Sequence, residues 1–505
     1  MTAKYYITTP IYYPNGEPHL GHVYTTLCAD TLARYHRLVG DDTFFLTGTD
    51  EHGIKMVKTA ADAGVPPREL ADRNVAVFEA VWKELKVTND DFIRTSSDRH
   101  KSAVQEIVRK LVASDDIYLG AYEGWYDEGQ EEFVTETEAK AAEYKSTISG
   151  RPLVRYKEPT YFFRLKKYVP RVLWHIESHP HFIQPESRRN EVLSKLKAGV
   201  EDLSISRATL KWGIPLPHDP GHVLYVWIDA LSNYITALGY GSGDDGRFRR
   251  YWPADLHLIG KEIMWFHTVY WPAMLFALGL EAPRQVFAHG WWTAGGRKMS
   301  KSLGNFIDLE KVRAAIGTYG QDTLRFYLLR AAPFGADLDW NDADLAKSHK
   351  ELANVLGNCL NRILKMTKGV MSAAGAPDPI DQHLAEMTEA LPAKLADAYA
   401  RNALQDCATL PIELARATNG YIDATSPFKL KDPAQFPRRD MILHLAARAV
   451  SRALAAMLPI LPHKAAEGLA QLGVNVEGKT LAELFGELPA GQKFQAGQPL
   501  FPQVG

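Results

Sequence analysis

Apolar positions along the first 65 residues change period in a repeating order. Tyr5-Tyr-Ile-Thr-Thr9 is a β-branched and aromatic run with the composition of a buried strand. A loop, Pro10–Pro18, follows. Leu20, Val23, Leu27, Thr31, Leu32, Tyr35 and Leu38 then recur at helical spacing until Gly40 supplies a stop. Thr43–Thr47 is strand-like again and leads through the turn Gly48-Thr-Asp-Glu-His-Gly53 into a helix over Lys55–Ala63 that closes at Gly64. Strand and helix alternating in this way predict a doubly wound parallel sheet. Ligands of such sheets bind beyond the carboxyl ends of the strands, where both loops fall.

The alternation lapses between Ile117 and Pro220, a stretch of turns, charges and short aromatic runs that predicts an inserted domain. It resumes with strands over His222–Trp227, Leu256–Ile259 and Val286–Ala288, so one sheet is split by the insertion. Beyond Asp344 the periods are long and helical, over Leu345–Met366, Gln382–Ala400, Ala403–Tyr421 and Arg438–Leu458, which predicts an α-helical bundle. The expected boundaries are 1–116 and 222–296 for the two halves of the sheet domain, 117–221 for the insert, 297–345 for a connecting region and 346–505 for the bundle. A formal net charge of −2 over 505 residues excludes a global basic field, so any nucleic-acid contact must be local. No apolar run is long enough for a membrane span. Cys28, Cys359 and Cys407 are too far apart for a disulfide framework or a CxxC metal knuckle and fit a reducing compartment. The first strand starts by residue 5, so no targeting segment is expected, and the location expected is cytoplasmic.

Two short motifs carry chemistry. Pro18-His-Leu-Gly-His22 falls between a strand end and a helix start, where unpaired N–H groups attract anions. His19 and His22, at i and i+3, share one side of the first turn, and Gly21 leaves room for a close approach. Alone, such a turn equally suits surface histidines that cap a helix. Lys298-Met-Ser-Lys-Ser302 follows Gly295-Gly-Arg297, and two lysines on a Gly-flanked loop can follow charge developing on a departing pyrophosphate. Alone, it reads better as a solvated basic turn. Together and in this order, the two motifs resemble the paired signatures of class I aminoacyl-tRNA synthetases, which have a Rossmann-type sheet.

The resemblance extends over essentially the whole chain to the methionyl-tRNA synthetases. It rests further on Val226-Trp-Ile-Asp-Ala-Leu-Ser-Asn-Tyr234, Ile259-Gly-Lys-Glu-Ile-Met-Trp-Phe-His267 and Ile11-Tyr-Tyr13, which mix aromatic, aliphatic and a few polar side chains. Such a lining suits a long, polarizable side chain, with a tyrosine hydroxyl or an imidazole able to meet a thioether sulfur. The resemblance implies that Ile11, Tyr13, Trp227, Ala230, Leu231, Tyr234, Ile263 and His267 surround methionine and that Asp50 holds its ammonium group. Gly260 and Glu262 would face the ATP ribose; the family usually has Asp at the latter position. His19, Gly21 and His22, with Lys298, Met299, Ser300 and Lys301, would bind ATP, and His19, His22, Lys298 and Lys301 would act in catalysis. Residues 297–345 would then carry the lysine loop and a region that contacts the tRNA stem. Mg²⁺ would arrive with ATP.

In the bundle, Asn358 and Arg362 match the family's anticodon-reading pair and share a helix face. Phe428, after Pro427, stands where the family usually has Trp; it can stack on a base but lacks the indole donor. The implied partners are methionine and tRNA(Met), including the initiator tRNA, with no membrane, and a monomer is expected. A larger departure lies in the insert. Relatives with a zinc knuckle carry CxxC pairs where this chain reads Tyr126-Asp-Glu-Gly-Gln-Glu131 and Ser149-Gly-Arg-Pro152, so no metal ligands and no structural zinc are expected. Three alternatives compete. A leucine, isoleucine or valine synthetase would need a longer editing insert. A nucleotidyltransferase that never meets tRNA would have no use for the bundle. A non-catalytic tRNA-binding module would not need both signatures.

Overall fold

A computed structural model describes residues 2–129, 132–134, 136–299, 305–495 and 497–504. In chain order, the elements that position the site are β1 (Lys4–Tyr12), α1 (Leu20–Leu38), β2 (Asp42–Thr49), α2 (Ile54–Asp62), β3 (Asp91–Arg94), α3 (Asp98–Ala113), β4 (Ile183–Gln184), α4 (Val226–Thr236), β5 (Leu256–Gly260) and β6 (Val286–His289). They are followed by α5 (Gln321–Arg330), α6 (Asn358–Met366), α7 (Gln382–Ala400), α8 (Leu404–Thr425) and α9 (Phe436–Met457). The chain forms two compact units. One comprises Lys4–Pro18 and Phe44–His289, the other Met1–Ala3, His19–Thr43 and Gly290–Gly505.

The first unit is built on a six-stranded sheet in the order β3-β2-β1-β5-β6-β4. The pairs β2–β3, β1–β5, β5–β6 and β6–β4 are parallel. The central strands are apolar on both faces, as a sheet covered on both sides requires: β5 and β6 are buried at every position. Gly48 allows β2 to approach β3, since a Cβ there would lie 2.0 Å from the Ile93 carbonyl oxygen. A second, antiparallel sheet of Glu132–Val134, Ile117–Asp127, Val154–Phe163 and Leu203–Ser204 forms the body of the insert.

Three local expectations change. β1 runs on through Tyr12 rather than ending at Thr9. The stretch His222–Trp227 is not a strand of the main sheet. Strand pairing is confined to Val223–Leu224, against Ser206–Arg207, and α4 already begins at Val226. Its β-branched residues pack as the first turn of a buried helix, so burial overrode propensity. Finally, β4 lies inside the stretch that lost its alternation, yet it joins the main sheet beside β6. Two residues are too few to leave a periodic signal.

In the second unit, α7, α8 and α9 pack together with α5 and α6. α1 belongs to this unit and is anchored there by charge. Asp30 and Arg325, both fully buried, pair at 2.8 Å. Arg325 also donates to Thr31 Oγ1 and to the carbonyls of Pro459 and Ile460. With the guanidinium so fully engaged, removing either partner would strand a buried charge. Tyr35 stacks on Tyr399 at 3.7 Å and fixes the other end of the helix.

Candidate active site

The first unit holds the side-chain pocket. Ile11, Tyr13 and Trp227 pack against Tyr126, Tyr225, Val226 and Ala230. The Trp227 indole lies flat on Phe266, with centroids 3.4 Å apart and planes 7° from parallel. Leu231 and Tyr234 follow on the same helix, both buried. Phe266 and His267 sit in a π-helical turn, Phe266–Tyr270, whose extra residue re-aims side chains as such turns commonly do at functional sites. His267 Nδ1 faces the Ile263 carbonyl at 2.9 Å and must carry the proton there. Burial pushes this imidazole down to about 4, so it is neutral at pH 7. Its Nε2 is then an acceptor and receives a hydrogen bond from the Tyr234 hydroxyl at 2.7 Å. Both protons are committed within the protein. The pair is thus hydrogen-bonded within the protein.

Asp50 is buried at the end of β2, and its N–H donates to the Tyr12 carbonyl at 2.9 Å, which places it beside Tyr13. Glu262 arches over Gly260: a Cβ on Gly260 would lie 2.6 Å from both carboxylate oxygens. Sequence reasoning missed two residues here. Phe266, the partner of Trp227, lies inside the Ile259–His267 segment but was given no role of its own. Arg207 is 1% exposed, lies 3.9 Å over the Tyr225 ring, and donates to Ser204 Oγ and the Ser206 carbonyl. The sole sequence signal for it was an arginine amid Ser and Ile just ahead of an aromatic segment.

The second unit holds the signature turn. His19 is the N-cap of α1: its Nδ1 accepts from Gly21 N–H at 3.0 Å, and its own N–H donates to His22 Nδ1 at 3.2 Å. The two rings stack at 3.9 Å. Burial, reinforced by His19, holds His22 well below the usual imidazole range. A helix N-terminus of this kind leaves backbone N–H groups that attract anions. Gly21 is required there, because a Cβ would lie 2.9 Å from the His19 ring. The chain leaving the lysine loop returns to this turn: Leu20 N–H donates to the Ile307 carbonyl at 3.2 Å, and Phe306 meets His19 edge-on at 5.2 Å. Lys298 lies in a hairpin strand paired with Thr293 across Gly295 and Gly296, both at positive φ. Met299 is half-buried; Ser300 and Lys301 lie outside the described residues.

In the bundle, a π-helical turn, Leu352–Gly357, immediately precedes α6 and leaves Asn358 exposed. Arg362, one turn on, pairs with Asp423 of α8 and donates to Asn419. Phe428 follows α8 in a short 3₁₀ turn and is 52% exposed, unusual for an aromatic with no covering element. In the insert, hydrogen bonds stand at the knuckle turns. Asp127 accepts from Gly129 N–H at 2.8 Å, and Ser146 Oγ accepts from Ser149 N–H at 3.0 Å. A Cβ on Gly129 would lie 3.2 Å from Ser149 Oγ, so the two turns adjoin. Gln130 and Glu131 lie outside the described residues. Among the described residues, no group of three His, Cys, Asp or Glu gathers to hold a metal, and no helix is long and apolar enough to cross a membrane.

A parallel sheet with a capped histidine turn after its first strand and a glycine-flanked lysine hairpin defines a class. The family model described as "tRNA synthetases class I (M)" matches residues 5–142 and 137–364. The methionine–tRNA ligase of Caldanaerobacter subterraneus subsp. tengcongensis is 44% identical over 100% of this chain and 79% of its own length. That of Bacillus subtilis is 43% identical over 99% of this chain and 78% of its own. The structure of Mycobacterium tuberculosis methionyl-tRNA synthetase in complex with methionyl-adenylate superposes with a TM-score of 0.94 at 37% identity, covering 99% of this chain and 100% of that one. The chain belongs to the methionine–tRNA ligase family of class I synthetases.

Proposed function

We propose that the chain activates methionine with ATP and charges tRNA(Met), including the initiator, through the residues that the family resemblance names. A methionine carboxylate oxygen attacks the α-phosphorus, the bond to the β-phosphate oxygen breaks, and pyrophosphate leaves. A ribose hydroxyl at the 3′ end of the tRNA then attacks the adenylate carbonyl, and AMP departs. Asp50 holds the substrate ammonium; Ile11, Tyr13, Trp227, Ala230, Leu231, Tyr234, Ile263 and His267 enclose the side chain. Gly260 and Glu262 face the ribose. His19, Gly21 and His22 receive the phosphates, and Lys298 and Lys301, with Met299 and Ser300 between them, follow the departing charge. Positioning and charge stabilisation dominate such transfers. Mg²⁺ arrives as part of the ATP complex. Asn358, Arg362 and Phe428 read the anticodon, the knuckle stands without zinc, and the enzyme works as a cytoplasmic monomer.

The observation that carries this reading is the neutral Tyr234–His267 pair beside the stacked Trp227 and Phe266. A buried, largely apolar and aromatic lining accepts an unbranched apolar chain and disfavours a charged one. Asp50→Asn tests the assignment at the ammonium end. In methionine-dependent ATP–pyrophosphate exchange it is expected to raise KM for methionine by about tenfold or more, as loss of a charge-assisted pair does. An unchanged KM would remove Asp50 from the site.

A further inference from the structure

The loop that carries Asp50 is gripped on both flanks. On one side, Glu51 is fully buried; it accepts from Thr49 Oγ1 at 2.7 Å and pairs with Arg94 at 2.6 Å, while its N–H donates to Thr95 Oγ1 at 2.9 Å. On the other, His52 Nδ1 lies 2.6 Å from Asp229 Oδ2, deep inside α4. Asp229 is fully buried, and its second oxygen lies 2.8 Å from His100 Nε2 of α3. His100, also fully buried, meets Thr236 Oγ1 at 2.7 Å through its other nitrogen, back on α4. The Trp212 ring closes over His52 at 5.3 Å. Each Asp229 oxygen thus accepts from one imidazole.

This chain joins two parts of the pocket that sequence keeps far apart. His52 is two residues from Asp50, and Asp229 lies on α4 between Trp227 and Ala230. The first part is proposed to hold the ammonium group and the second to wall the side chain. We infer that the buried His52–Asp229–His100–Thr236 chain sets the distance between the ammonium contact and the side-chain pocket, and so fixes the length of amino acid accepted. These are positioning residues. The inference rests on the placement of methionine proposed above.

Ethionine, one methylene longer than methionine, and norleucine, of equal length without sulfur, are the probes. His52→Ala and His100→Ala are expected to lower the ratio of kcat/KM for methionine over ethionine by about tenfold, the lower end of what one methylene contributes. The methionine-to-norleucine ratio stays unchanged, because length and not sulfur is being read, and KM for ATP stays within about twofold. Asparagine places its amide nitrogen near the Nδ1 position and glutamine near Nε2. His52→Asn and His100→Gln should therefore restore the ethionine ratio. Thr236→Val keeps side-chain volume and removes only the outermost hydrogen bond; it tests the chain even if the alanine variants do not fold, with an expected fall of about threefold in the same ratio. A ratio is blind to the fraction of active protein, so a role confined to stability would lower the melting temperature and leave every ratio at its wild-type value. That outcome overturns the inference. If Asp50→Asn also leaves KM for methionine unchanged, the placement of methionine has failed; if it raises KM while the ratios hold, the inference alone has failed.

Discussion

At the residue scale, burial keeps several imidazoles of this protein neutral. His267 is pushed down to about 4 from 6.5, and His22 and His257 are also held well below the usual range, chiefly by burial. A histidine whose folded-state value is depressed stays neutral in the fold while the unfolded chain takes up a proton. Its penalty is absent above the unfolded value and grows as pH falls from about 6.5 toward about 4. The melting temperature should therefore drop across that window, and His267→Gln should flatten part of the drop by removing up to about 3 kcal/mol of linkage. Thermal melts of both proteins between these limits check it. Parallel curves would show that His267 is not buried neutral. Sequence alone placed His267 and Tyr234 in one pocket through the resemblance, but it could not show where their protons go, because that depends on the Ile263 carbonyl and on burial.

At the element scale, legibility followed length and period. α1, with thirteen buried positions on a 19-residue helix, was read to within a residue, as were α7 and the glycine stop at Gly40. β4 was lost because two residues carry no period, and the start of α4 was read as a strand because an all-buried helix looks locally like a buried strand. The π turns ahead of α6 and around His267 are likewise invisible to a 3.6-residue template. The buried polar chain through Asp229 escaped for a different reason: His100 comes from a third element and belongs to no motif. On α6, Arg362 is held by Asp423 and Asn419, so reading a base requires that pairing to be shared or exchanged. Arg362→Ala is expected to lower kcat/KM for tRNA charging by about tenfold to a hundredfold, as loss of a base contact does, and to leave pyrophosphate exchange within twofold. An equal fall in both assays would mean that the arginine serves stability.

At the scale of the whole molecule, the two units divide the residues by task. The unit built on the parallel sheet carries the proposed amino-acid pocket; the other carries the histidine turn, the lysine hairpin and the bundle, joined through the buried Asp30–Arg325 pair. A net charge of −2 leaves no long-range basic field, so the proposed tRNA contacts have to be local. The central claim is that this molecule selects methionine, and amino-acid-dependent ATP–pyrophosphate exchange across all twenty amino acids tests it most directly. Exchange with methionine and almost none with leucine, isoleucine or valine is the expected result. Exchange with isoleucine equal to that with methionine, or none with any amino acid, would contradict it.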